Sequence, residues 1–225
     1  MELFNLKNVF TVFGAFLVFD EDIKPNLEKQ YADCTISIHP EPNNPTNKAG
    51  KLMRIINSKE QTVITLRPNR IDIEFPRITK NIVNKLLERV QIILSDLSWI
   101  LEHPLGNRIA FRSDFCVFDD ELNGMRTLAK NLNVLTNPDE TTEISIRLNS
   151  PEVIQGEPVN IVTNVYYAII GVKKDQQETK RKSLLITYDV NTVIQNTENR
   201  FEFERLLPYF EEMINNVFER SEHFN

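Results

Sequence analysis

Two acidic runs, Asp20-Glu21-Asp22 and Asp119-Asp120-Glu121, stand out in this 225-residue chain as groups that could do chemistry. Each follows a short run of Phe and Val: Phe16-Leu17-Val18-Phe19 precedes the first, and Phe115-Cys116-Val117-Phe118, 99 residues further on, precedes the second. Carboxylate oxygens suit hard divalent cations or a basic partner, but a calcium loop needs alternating ligands and a turn glycine, a spacing these runs do not have. The same acids cap helices and favour their positive N-terminal ends, which is the preferred reading. A second set of acids, Asp72, Glu74 and Asp114, could converge in a cleft as the carboxylates of a hydrolase or nuclease.

Cations form two groups. Arg67, Arg70, Arg77 and Lys80 lie around a strand–helix junction, and Lys173, Lys174, Lys180, Arg181 and Lys182 flank a loop between two later strands. Guanidinium forks suit carboxylate or phosphate, so Arg67, Arg70, Lys173, Lys174, Lys180, Arg181 and Lys182 are the candidate partner-binding residues. A solvated hairpin, with Asp175 and Glu178 interspersed, is the plainer account of the second group. The six glycines never cluster, which excludes a phosphate-cradling loop of the P-loop or dinucleotide type. His39, His103 and His223 lie at chain breaks or in the tail, with no zinc-ligand spacing. No catalytic residue, cofactor or metal is expected. Tyr166, Tyr167 and Trp99 could stack on a ligand, but core packing is the expectation.

Lys and Arg number 26 against 32 Asp and Glu, a net charge of −6. That balance disfavours nucleic acid and anionic membranes, which require clustered cations. Were the chain to bind nucleic acid on an open sheet face, Arg54, Arg67, Arg112 and Arg147 would face it, with Glu74, Glu143 and Asp189 opposing. Val9–Phe19 is too short to span a bilayer and lacks the features of a signal peptide. Cys34 and Cys116 read as reduced, buried thiols of a cytoplasmic protein.

The elements that must position these residues recur in order. Val9–Phe19, Thr35–His39, Lys51–Asn57, Gln61–Arg67 and Ile71–Phe75 read as strands, the last half-exposed because apolar and acidic residues alternate. Between them, Pro40–Asn47 is a breaker. A helix from about Ile78 carries an apolar stripe through Leu97, and His103–Gly106 ends the first half. Arg108–Phe118 then repeats the opening strand. A helix capped by Asp119 or Asp120 carries Leu122, Met125 and Leu128, whereas Pro25 makes the corresponding first-half element short or irregular. Glu143–Leu148, Val159–Ile170 and Leu184–Asp189 read as strands, and a helix over Phe203–Glu222 repeats the apolar stripe 120 residues on. Thr136–Thr142, Asn149–Pro158 and Gly171–Lys182 read as enlarged loops. The expectation is an α+β chain, one domain over 1–225 built of two pseudo-repeats, 1–103 and 104–225. Each repeat is strand, helix or turn, three strands and long helix. Together they form a continuous antiparallel sheet covered by the two long helices and open on its other face.

This plan is similar to the duplicated TATA-binding-protein fold and, more loosely, to export chaperones of the SecB type. Thr62–Arg70, Asn107–Arg112 and Ile186–Val190 also make the chain resemble a sporadically distributed family of uncharacterised bacterial proteins, a resemblance that brings no site with it. With no catalytic signature, the expectation is a non-enzymatic protein-binding or regulatory protein whose partner is another protein. The Asn-, Ile- and Lys-rich composition suits a low-GC bacterium or its phage, in a setting of defence, counter-defence or toxin neutralisation. Nucleic-acid binding by the open sheet face is the first alternative, and a carboxylate-based hydrolase or nuclease the second.

Overall fold

Asn8, Phe10 and Val12 alternate with Val9, Thr11 and Phe13, so residues 3–13 form a strand with two distinct faces. The computed structural model describes residues 3–16, 23–40, 51–77, 82–101, 104–121, 123–124, 126–127, 145–174 and 177–222, apart from the side chains at 172–174, 177 and 178. It is an α+β structure. In chain order its elements are β1 (Leu3–Phe13), α1 (Ile23–Gln30), β2 (Thr35–Pro40), β3 (Lys51–Asn57), β4 (Thr62–Arg67), β5 (Arg70–Phe75) and α2 (Val83–Ile100). There follow β6 (Leu105–Gly106), β7 (Arg108–Phe118), β8 (Ser145–Ile154), β9 (Glu157–Lys174), β10 (Gln177–Thr192), β11 (Phe201–Glu202) and α3 (Leu207–Ser221). Nine strands form one sheet in the order β2-β3-β4-β5-β1-β7-β10-β9-β8, and β6 pairs separately with β11. Every neighbouring pair in the large sheet is antiparallel.

β1 and β7 meet at the middle, with Phe10 opposite Phe111 and Asn8 opposite Ser113. A bulge between Asn5 and Lys7 leaves Leu6 unpaired and turns both Asn5 and Asn8 inward. These two amides and Ser113 satisfy one another: Asn8 Nδ2 donates to Asn5 Oδ1 (2.8 Å) and to the Pro76 carbonyl (2.9 Å), and Ser113 Oγ donates to Asn8 Oδ1 (2.7 Å). Around them lies apolar packing. Phe10 meets Phe75, Phe111 and Phe210 at ring centroids of 5.8, 4.9 and 5.0 Å. The inward strand residues, Leu27 of α1, the α2 stripe and the α3 stripe belong to one buried cluster. Val90, Ile93, Leu94 and Leu97 of α2 recur, equally buried, as Phe210, Met213, Ile214 and Val217 of α3.

Several boundaries differ from the sequence reading. β1 begins and ends six residues before the expected Val9–Phe19, so Phe16 lies beyond the strand while Phe115–Phe118 lies inside β7. The two 11-residue strands start 105 positions apart, not 99, and Phe16 and Phe115, which open the two copies of the repeat, do not occupy equivalent places. After α1 come the four strands read individually from the sequence, one more than the three of the repeat plan. The supposed loops at 149–158 and 171–182 are mostly strand: β8 and β9 turn tightly at Gln155 (φ 50°) and Gly156 (φ 80°), the positive-φ pair of a two-residue hairpin. Beyond Tyr167, β9 pairs only with β10, and before Ser183 β10 pairs only with β9, so this end of the hairpin is a two-stranded ribbon. Pro25 occupies the first turn of α1, where its missing N–H costs nothing. The proline-rich segment at 41–47, the loop at 136–142 and most of the helix expected after Asp120 lie outside the described residues. Among the described residues, no helix is long and apolar enough to cross a membrane.

Two consequences are measurable. Asn8→Ala removes the donor to Asn5 Oδ1 and to the part-buried Pro76 carbonyl and the acceptor of Ser113 Oγ, and urea unfolding should register a loss of about 1–3 kcal/mol. Tyr188, buried against Phe115, has a hydroxyl with no hydrogen-bond partner among the described residues, and burial pushes its pKa from the usual 10 up to about 12. The fold favours the neutral phenol, so stability present below pH 10 is lost as pH rises from 10 to 12. Tyr188→Phe should flatten that loss in alkaline unfolding curves while leaving neutral-pH stability unchanged or higher.

Candidate functional site

Residues directly opposite one another on antiparallel strands share a face, and the register therefore generates rows across the outer side of the sheet. Arg70, Phe13 and Arg108 form one row on β5, β1 and β7. Asp72, Thr11 and Ala110 form the next, and Glu74, Val9, Arg112 and Asp189 the third. Lys7, Asp114 and Thr187 complete the set. These rows, with Arg67 from β4, line a groove of about 380 Å³. The described helices contribute to the core on the opposite side.

Each groove acid has a partner. Asp72, only 3% exposed, accepts from Thr11 Oγ1 (2.7 Å), Arg70 Nε (2.7 Å) and Arg67 Nη1. Its depth contradicts the half-exposed reading of β5: the acid on the polar face is sunk between two guanidiniums and a hydroxyl. Glu74 pairs with Lys7. Asp114 takes Arg112 through both oxygens (3.0 and 3.2 Å) and Thr187 Oγ1 at 2.9 Å. Asp189 accepts from Asn191 at 3.2 Å and lies opposite Arg112 in the register.

Two arginines on β7 differ instructively. Burial alone would lower the pKa of Arg112, but the hydrogen bonds and field of Asp114, aided by Asp189, raise it above the ordinary guanidinium value. Arg108 is lowered instead: burial is the main cause and Arg70 adds to it, with the attraction of Asp189 too weak to offset them. Arg108 stacks on Phe13 at 3.8 Å and its buried Nε has no hydrogen-bond partner among the described residues. Arg70 approaches the same ring at 5.4 Å. Phe13 thus has a cation on each side.

The structure splits the predicted basic residues. Arg67 and Arg70 reach the groove, whereas Lys180, Arg181 and Lys182 lie toward the far end of β10, roughly 25 Å along the strand from Asp189. There Arg181 stacks on Phe118 (3.9 Å) and pairs with Asp120 (2.6 Å), whose pKa it lowers by that hydrogen bond. Lys173 and Lys174 belong to the same ribbon by backbone pairing with Glu178 and Gln177. Arg77 sits over Phe4 at 5.6 Å, and Lys80 lies outside the described residues. Arg54, Arg67, Arg112 and Arg147 do share the outer face by register.

Asp72, Glu74 and Asp114 converge as the sequence suggested, joined by Asp189, but in ion pairs. Among the described residues, no cluster of His, Cys, Asp and Glu is arranged to hold a metal. The second acidic run has structural tasks: Asp119 accepts the Gly124 N–H (3.1 Å) and Asp120 the Lys182 N–H (3.2 Å). Asp20–Asp22, Glu143, His103 and His223 lie outside the described residues. His39 is exposed within β2, not in a loop, and bonds Ser37 at 2.8 Å. Cys116 is buried and Cys34 only half-buried, both unbridged. Trp99, expected in the core, is 78% exposed on the outer side of α2, while Tyr167 packs against the core. Sequence reasoning missed Phe13, Lys7, Thr11 and above all Arg108. Alternation along β1 placed Phe13 on the polar face, but only the cross-strand register sets it between two arginines.

Comparison with protein-family models and with curated proteins gave no match.

Removing the central acid should expose how much the groove depends on it. Asp72→Ala leaves Arg67 and Arg70 facing each other, and a loss of about 2–3 kcal/mol is expected in urea unfolding at low ionic strength, shrinking as salt screens the repulsion.

Proposed function

We propose that this chain is a non-enzymatic binding protein whose recognition surface is the groove on the outer face of the sheet, and whose partner is another protein. One observation carries the reading: every carboxylate in the groove is engaged by a cation, a hydroxyl or an amide of the chain itself. An acid held in a short ion pair is poorly placed to trade protons or bind a metal. Preformed, partly desolvated charge pairs suit selection of a complementary surface, because a mismatched partner would bury a charge without compensation.

We further read the chain as one domain made by duplication, each unit supplying one long helix to cover the sheet. Support comes from the mirrored strand order about β1 and β7, from the pairing of Asn8 with Ser113 at the midpoints of two equal strands, and from the buried stripe shared by α2 and α3. On composition alone, we extend the reading to a cytoplasmic regulatory or toxin-neutralising role in a low-GC bacterium or its phage.

The test is recovery of the partner from the native host with wild-type protein and with the Arg70→Glu/Arg108→Glu variant, after circular dichroism has shown the variant to be folded. A protein that co-purifies stoichiometrically with the wild type should be reduced at least tenfold with the variant. Equal recovery from both would remove the groove from recognition. The shared face of Arg54, Arg67, Arg112 and Arg147 favours nucleic acid as a second reading, and four carboxylates oppose it. Gel retardation separates the two: we expect no shift of duplex DNA or single-stranded RNA at 50 mM salt, whereas a shift that weakens with added salt would favour the second reading.

A further inference from the structure

On the helix-covered side of the sheet, where the end of β5 meets the start of α2, lies a second depression of about 350 Å³. It shares no lining residue with the groove. Its floor is apolar because it is the open end of the core. Phe75 is the last inward residue of β5, and its ring packs edge-on against Phe10 at 5.8 Å. Leu86, in the first turn of α2, is buried beside it, and Pro76 and the 40% exposed Ile82 carry the apolar surface out to solvent. The one hydroxyl of the lining, on Thr62, is committed to the Glu60 carbonyl at 3.4 Å. Charge is confined to the rim. Glu60 holds Arg89 there. Arg77, which rests over the Phe4 ring at 5.6 Å, and Lys85 have no ion pair among the described residues. Residues 78–81, Ile-Thr-Lys-Asn, which join these two stretches in sequence, bring no carboxylate.

We propose that this depression binds a small amphipathic carboxylate, its apolar body on Phe75, Pro76, Ile82 and Leu86 and its charge at the rim with Arg77 and Lys85. The volume is that of a small-molecule site. The separation of an apolar floor from a cationic rim specifies the two ends of the ligand. Removing the body from water supplies affinity, and the carboxylate supplies orientation and the sign of charge. A sugar or a base finds no free hydroxyl on the floor, an apolar alcohol gains only the first contribution, and an ammonium meets like charge at the rim. In a partly sheltered depression the attraction between a carboxylate and these cations exceeds its value in open water. The site lies apart from the groove, so it adds a ligand to the protein without depending on what the groove recognises.

The probe is octanoate, titrated below its micellar concentration into full-length protein at constant ionic strength while the Ile82 and Leu86 methyl resonances are followed by NMR. Saturable shifts at both residues are expected. 1-Octanol and octylammonium should saturate at least fivefold more weakly, and acetate should leave the methyls unmoved. The Arg77→Glu/Lys85→Glu variant alters two exposed side chains that take part in no ion pair among the described residues. It should weaken octanoate at least tenfold while leaving the weaker binding of octanol unchanged. Circular dichroism checks its fold, and Lys85→Glu alone serves if the double variant does not fold. Shifts that stay linear, octanol or octylammonium binding as tightly as octanoate, or a folded variant with wild-type affinity would each overturn the proposal.

Discussion

In the middle of the sheet, Asn8 of β1 lies opposite Ser113 of β7, and both are buried with Asn5 and joined to it by side-chain hydrogen bonds. Apolar contacts alone would tolerate several alignments of two Phe- and Val-rich strands. Amides in a core tolerate one, because any other leaves donors and acceptors buried without partners. A slip of one residue would also exchange the faces of the strand. Phe10 and Val12 would turn into the groove, and Thr11 and Phe13 into the core. The interior and the charged groove are therefore two results of one pairing.

The outer face shows what such a fixed frame permits. Charges that would be weakly coupled on a convex surface are gathered in a concave one, where water is partly excluded and each arginine responds to its neighbours. Arg112 and Arg108 are four residues apart on the same strand and same face, yet their proton affinities shift in opposite directions. The difference comes from partners: Asp114 grips one, and a phenyl ring with a neighbouring arginine flanks the other. Along the groove the cations pass from ion pairs at Lys7 and Arg112 to Arg108, which has no ion pair among the described residues and feels only the field of Asp189.

Much of the architecture could be read from the sequence because it rests on local rules. The alternation in Arg108–Phe118, the three- and four-residue spacing in the two long helices and the close succession of Lys51–Asn57 and Gln61–Arg67 each depend on near neighbours. The ends of β1 could not be read this way. Its first residues include Asn5, Lys7 and Asn8, which lower the apparent strand signal and turn inward or outward only through the bulge at Leu6. The long hairpin of β9 and β10 was hidden for a similar reason, since Lys180–Lys182 resemble a solvated loop until their pairing is known. The three acids Asp72, Glu74 and Asp114 were recognised as a set, yet their ion pairs were not. Asp72 and Asp114 pair with arginines close by in sequence, a contact that requires both side chains to lie on one face, and Glu74 finds Lys7 only through the pairing of β1 with β5.

The central position of β1 also has a consequence in time. Residues 3–75 can pair β1 with β5, but the other edge of β1 stays bare until residues 108–118 have been synthesised. At elongation rates of roughly 5–20 residues per second, that interval lasts on the order of seconds. A bare strand edge invites adventitious pairing with neighbouring chains. Two asparagines pointing inward make this one a poor template, because a stray apolar strand would have nothing to offer their amides. The polar residues that secure the finished sheet thus also guard the nascent chain while its mate is still on the ribosome.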